Sequence, residues 1–207
     1  MKTALIFGSS GLIGSCLLDL IVNDNNYNKI RLFVRSESVN TSSKIEIIKT
    51  DFNNLENHKD SIAGDVCFFC IGTTRKKTPD KNEYINIEYN LPIEVAKIAK
   101  SNSVNNFIYV SSIGANTNAS GLYLKNKGQA EEELKKLNFS KLSIMRPSIL
   151  LGNRKENRVG EKIGIFAMKT LSPWQICTFA TPLRMAGCIS SVVKMLSQPL
   201  KATSVSV

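Results

Sequence analysis

Histidine is almost missing from this sequence: the single one in 207 residues is His58, set in a polar stretch with no second histidine and no cysteine near it. A centre built from imidazole and thiolate ligands has no material there, so His58 reads as a surface side chain. Long apolar runs are missing too. Gly, Asn, Lys or Asp interrupts every candidate short of the roughly 18 residues that a spanning helix needs, which excludes a membrane span. The first residues, a lysine followed by apolar side chains, resemble a secretory leader. Residues 8–10 break that run and no small-residue cleavage pattern follows, so the segment reads as folded structure. No internal repeat, low-complexity array or basic stretch interleaved with aromatics is present, and the last absence removes the usual support for binding nucleic acid.

What is present suits one globular domain: 43% hydrophobic and 21% charged residues. Lys and Arg number 27 against 17 for Asp and Glu, a net charge of +10 that attracts polyanions in general, a phosphate-rich cofactor included. Arg75, Lys76 and Lys77 read as a solvated loop. The five cysteines, Cys16, Cys67, Cys70, Cys177 and Cys188, are an odd number, which predicts reduced thiols and a cytoplasmic location. Cys67 and Cys70 form C-x-x-C inside an apolar run. A strand there sends positions i and i+3 to opposite faces, so a buried strand is expected rather than a redox or zinc pair.

Short apolar, β-branched runs at residues 3–7, 29–34, 44–49, 65–71, 106–110 and 141–145 predict six strands. Between them, 12–22, 83–101 and 123–137 carry helical patterning, with 23–28 and 111–120 as loops. Pro92 lacks an N–H and predicts a kink or restart within the second helical stretch. This alternation defines an α/β class with a doubly wound parallel sheet, a Rossmann-type core over 1–152. Residues 153–207 form a short extension with weaker patterning, including helices expected at 163–171 and 185–196.

The turn between first strand and first helix reads Gly8-Ser9-Ser10-Gly11-Leu12-Ile13-Gly14. Gly8 permits a sharp turn, Gly11 lets backbone approach a pyrophosphate, and Gly14 lets helix and sheet pack closely. The amides of Ser10, Leu12 and Ile13 complete an anion-binding helix start. At the end of the second strand, where an acidic residue would bond an NAD ribose, the sequence has Arg35. A guanidinium suits the 2′-phosphate of NADP, while Glu37 nearby keeps NAD as the lesser alternative. Asp51, followed by Phe52, follows the third strand and would bond an adenine edge or cap a turn.

Tyr123 and Lys127 stand four apart and share a helix face, an arrangement in which a cation favours a phenolate. Ser111 and Ser112 end the fifth strand, where a hydroxyl can hydrogen-bond a carbonyl. Together GSSGLIG, VSS, YLKNK and RPSILLG resemble the short-chain dehydrogenase/reductase superfamily. GTTR and RPSILLG are most similar to its atypical branch of Tat-interacting-protein-like NAD(P)-binding oxidoreductases.

That resemblance covers about residues 1–158. It implies that Tyr123 exchanges the proton, that Lys127 holds the nicotinamide ribose and lowers the Tyr pKa, and that Ser112, the second serine of the pair, orients the carbonyl. It further implies that Gly72, Thr73 and Thr74 border the cofactor and that Pro147, Ser148 and Ile149 flank the nicotinamide. The expected function is NADP-dependent hydride transfer on a small carbonyl or alcohol substrate, with homo-oligomers common in the superfamily. The branch also contains cofactor-binding regulators, and the short segment beyond residue 158 keeps an NADP sensor without turnover as the rival expectation.

Overall fold

The computed structural model describes residues 1–36 and 42–147. Glu37, Ser148, Ile149, Cys177, Cys188 and the helices expected at 163–171 and 185–196 lie outside the described residues. The described elements are β1 (Lys2–Phe7), α1 (Leu12–Val22), β2 (Tyr27–Val34), β3 (Ile45–Lys49), a 3-10 turn (Leu55–Ser61), β4 (Val66–Phe69), α2 (Lys81–Ile85), a π-helical turn (Asn86–Asn90), α3 (Leu91–Ser101), β5 (Asn106–Val110), α4 (Leu122–Lys136) and β6 (Lys141–Met145).

The strands form one parallel sheet in the order β3-β2-β1-β4-β5-β6. The order reverses between β1 and β4, and in such sheets the crevice beyond the strand C-termini at this switch is where ligands bind. Alternation along the strands separates two cores. Leu5, Phe7, Cys67, Phe69, Phe107 and Tyr109 pack under α3 and α4, while Ala4, Ile6, Val66, Phe68 and Ile108 join Leu17 and Ile21 of α1. Phe7 stacks on Phe33 with ring centroids 4.2 Å apart, which stiffens the middle of the sheet where the glycine turn begins.

The doubly wound expectation holds, with local corrections. Tyr27 and Asn28, expected in a loop, begin β2, because the Tyr27 ring is buried in the α1-side core. Cys67 packs in one core and Cys70 against the other, as a strand requires. Burial pushes the Cys70 thiol up to about 12 and that of Cys67 well above its ordinary value, so neither is a ready thiolate. His58 sits half-buried in the 3-10 turn. No described helix is long and apolar enough to cross a membrane.

The second helical stretch begins earlier than the sequence pattern suggests. Asp80 caps α2 by accepting the Glu83 amide at 2.8 Å. The interruption required by Pro92 takes the form of the π turn, after which Pro92 stands in the first turn of α3. A proline ring crowds the carbonyl four residues back and leaves it without a donor, here the carbonyl of Glu88, so the helix widens at that point.

Candidate cofactor and active site

The glycine turn is shaped by close backbone approaches. Gly8 has φ +90°, and a Cβ there would lie 2.8 Å from the Cys70 carbonyl carbon and the Ile71 nitrogen. At Gly14 a Cβ would lie 2.1 Å from the Gly8 oxygen, so only glycine lets α1 start this near β1. Gly11 differs. A Cβ there meets nothing nearer than the Gly8 oxygen at 3.4 Å, ordinary contact, and the position is exposed. Gly11 is the N-cap of α1 with no side-chain hydrogen bond, and no acidic residue occupies the first turn. The free amides of Leu12, Ile13 and Gly14, with the positive end of the helix dipole, therefore fit an anion such as a pyrophosphate. Ser10 is exposed beside them.

Arg35 lies exposed just beyond β2 and has no ion pair among the described residues. Asp51 is engaged locally: it accepts the Asn53 amide at 2.9 Å, and these bonds hold its carboxyl below the ordinary range. The turn-capping alternative is thus the contact observed. Phe52 has φ +66°, a strained conformation for a bulky residue, while its ring tilts against Phe7 at 6.3 Å.

At the other half of the crevice, Tyr123 and Lys127 lie on α4. Tyr123 is 38% exposed and Lys127 only 3%. The Lys127 Nζ donates to the Val110 carbonyl at 3.1 Å, pairs with Glu88 Oε2 at 3.0 Å, and lies over the Tyr109 and Tyr123 rings at 4.8 and 6.0 Å. Burial pulls this ammonium down, but the surrounding phenols and Glu88 outweigh it and the net direction is upward. Burial also pushes the Tyr109 hydroxyl up to about 12, so it is neutral at physiological pH and the standing counter-charge is Glu88.

The two serines separate cleanly. Ser111 is buried and donates to Glu131, whose carboxylate also takes two hydrogen bonds from Arg146, one of them at 3.0 Å from Nε. Ser112 is more open, with its Oγ 3.3 Å from the Ile113 carbonyl, and of the two it is the hydroxyl with access to a ligand. The Pro147 carbonyl accepts the Ile113 amide at 3.1 Å, bringing the end of β6 beside this loop. Gly72 faces Glu88, the Thr73 amide donates to Glu88 Oε1 at 2.6 Å, and Thr74 closes the following turn by accepting the Lys77 and Thr78 amides, each at 2.9 Å.

Sequence reasoning missed three residues. Glu88 and Glu131 belong to no motif in the sequence, and only their burial sets them apart. Gly128, in Y-x-x-x-K-G, was a readable signal: a Cβ there would lie 2.4 Å from the Asn116 carbonyl carbon, so glycine lets α4 press against the loop after β5.

A reversed parallel sheet with an uncapped glycine turn at its switch point defines a nucleotide-binding Rossmann protein. The family model described as NAD(P)H-binding matches residues 8–180, and the chain belongs to that family. It is 34% identical to Protein HTATIP2 of Rattus norvegicus over 166 residues, 77% of this chain and 67% of that protein. With the protein named "Protein FMP52, mitochondrial" of Debaryomyces hansenii it shares 30% over 206 residues, 96% of this chain and 89% of the other. Among solved structures, WbmH of Bordetella bronchiseptica in complex with NAD+ matches with a TM-score of 0.63 at 15% identity, covering 82% of this chain and 64% of that one, so the chain spans less than two thirds of it. The oxidoreductase ylbE of Lactococcus lactis matches at 0.59 and 20% identity, covering 76% and 73%. These likenesses show an NAD(P)-binding, oxidoreductase-like fold.

The cytoplasmic expectation does not stand, since relatives named FMP52 carry the word mitochondrial in their names. Reduced thiols report a reducing environment, and that is a weaker statement than a compartment.

Proposed function

We propose that the protein is an NADP-preferring oxidoreductase that moves a hydride between nicotinamide and a carbonyl or alcohol carbon of a small molecule. The observation that carries this reading is the exposed Tyr123 standing over the buried Lys127 at the same sheet edge as the uncapped glycine turn. The amides of residues 12–14 would hold the pyrophosphate, Arg35 the 2′-phosphate, and Gly72, Thr73, Thr74 and Pro147 would border the rest; Ser148 and Ile149 belong to the same proposal. Phe52 and Asp51 would form the adenine end. A mitochondrial location is inferred from the relatives so named.

Bound there, the nicotinamide supplies or accepts the hydride. Ser112 hydrogen-bonds the substrate oxygen and orients its carbon. As that oxygen gains negative charge, Tyr123 gives it the phenolic proton, and the Lys127 ammonium stabilises the phenolate left behind. In the reverse direction Tyr123 takes the alcohol proton. The protein's part is placement and the proton path.

The test joins two measurements. NADPH should raise the melting temperature more than NADH does, because a cofactor that binds only the folded state stabilises it. Tyr123→Phe should abolish NADPH oxidation while leaving that shift intact. Unaltered turnover in the variant overturns the mechanism, and stabilisation by NADH alone overturns the cofactor preference. NADPH binding with no consumption across a broad carbonyl panel would favour the sensor reading, which the resemblance already raises.

A further inference from the structure

We propose that Glu88 is a positioning residue for Lys127: its buried carboxylate, gripped by the Thr73 amide, fixes where the ammonium sits and ties the loop at residues 72–74 to α4. For its kinetic consequence this rests on the functional reading above; for its geometry it does not.

Glu88 is 1% exposed and Lys127 3%. Removing two charges from water costs several kcal/mol per ion, and apolar residues of equal volume commonly hold a fold as well or better. Stability alone therefore does not account for this pair. The construction around it is specific. The π turn, widened ahead of Pro92, carries Glu88. Oε1 receives the Thr73 amide at 2.6 Å, and Gly72 lies alongside, where a Cβ would be in ordinary contact with the same oxygen at 3.4 Å. Oε2 faces Lys127 at 3.0 Å.

An ammonium has three N–H groups. The Val110 carbonyl takes one and Glu88 faces another, so these two partners fix the direction of the ammonium. Without Glu88 the flexible lysine side chain would lose the contact that selects this rotamer, and nothing would join the threonine loop to it.

The titratable groups facing Lys127 are Cys70 after β4, Tyr84 of α2, Glu88 of the π turn, Tyr109 of β5 and Tyr123 of α4. Arg75 adds a positive charge nearby, over the Tyr84 ring at 5.4 Å. Cys70, Tyr84 and Tyr109 are each pushed up to about 12, mainly by burial, so they carry no charge at physiological pH. Glu88 is the carboxylate in this set. Its loss removes one of the groups that oppose desolvation at Lys127 and leaves the phenols alone against it, which favours the neutral amine.

In ligand-free protein labelled with 13C at lysine Cε, the resonance absent from Lys127→Met reports this ammonium. In the native chain it should remain in its charged position up to pH 10. In Glu88→Gln, which keeps shape and hydrogen-bonding atoms, its midpoint should fall by about one pH unit or more. Glu88→Asp, which keeps the charge, should restore most of that shift. The alkaline limb of NADPH oxidation should move down with the resonance, and kcat should fall more than KM for NADPH changes. A purely structural role would lower the melting temperature and leave titration and limb where they are, and that result overturns the proposal. If Glu88→Gln does not fold, the double variant Glu88→Gln/Lys127→Met leaves neither charge buried alone and should fold. Failure of the double variant as well overturns the pairing. A native chain that binds NADPH but never turns over defeats the functional reading, and the titration then decides the role of Glu88 by itself.

Discussion

The crevice has two halves built by different means. On the β1–α1 side the machinery is backbone: amides, a dipole and glycines that let main chain approach main chain. On the β5–α4 side it is buried charge, with Lys127 held between Glu88 and Val110 and Glu131 between Ser111 and Arg146. A backbone device needs particular residues at fixed spacing, whereas a charge device needs partners brought together from distant segments. That difference decides which half a sequence discloses. Both halves nevertheless contain one glycine that sets a helix against a loop, Gly14 in the first and Gly128 in the second.

The largest expected effect tests that shared feature. Gly14→Ala would place a methyl 2.1 Å from a backbone oxygen, and Gly128→Ala one 2.4 Å from a backbone carbon. Each should cost about 3 kcal/mol or more in urea unfolding, because backbone and not a pliable side chain must move. Tolerance of either would show that its helix can slide, and would break the parallel between the halves.

Arg35→Ser should reduce the preference for NADPH over NADH about 30-fold, roughly 2 kcal/mol, read from the two dissociation constants. Ser111→Ala should cost about 1.5 kcal/mol of stability by removing a donor from the buried Glu131 carboxylate. Ser112→Ala should leave stability within about 0.5 kcal/mol and lower kcat instead, so equal behaviour of the two serines would contradict their separation. Gly11→Ala is the sharpest contrast with Gly14→Ala. It has room inside the fold, so its melting temperature should hold while NADPH binds about tenfold more weakly, about 1.4 kcal/mol.

The smallest effect lies away from the crevice. Glu46 accepts from Lys29 and Arg31, and these contacts hold its carboxyl below the ordinary range. A carboxyl lowered by folding contributes stability above its unfolded pKa of about 4.3 and loses it as pH falls through the lower folded value. Glu46→Gln should therefore cost no more than about 0.5 kcal/mol at pH 7, with the difference from the native chain vanishing under acid, since the pair is exposed and screened.

Much of the fold was legible because its signals are local. Residues 106–110 and 141–145 are observed as strands over those same residues, since each is a short β-branched or aromatic run with clear limits. Gly8 and Gly14 were legible for the same reason. Tyr27 was not: an Asn-rich neighbourhood masks an aromatic whose burial depends on β1 and α1. Glu88 and Glu131 were illegible in principle, because a glutamate on a helix looks the same whether it faces water or a buried lysine. The π turn was half legible: Pro92 announced an interruption without saying that the helix would widen and continue.

That widening has a consequence for how the chain tolerates change. A π turn is a helix holding one residue more than its hydrogen-bond ladder wants, so deleting a single residue between Asn86 and Asn90 would let the ladder close into an ordinary α-helix. The wide turn spends one extra residue on nearly the same rotation, so the upstream side, with the Asp80 cap and Tyr84, would keep close to its present facing. Insertions and deletions are usually absorbed by loops, but here one lost codon would be absorbed by a helix, with the residues of the turn itself, Glu88 among them, the ones displaced.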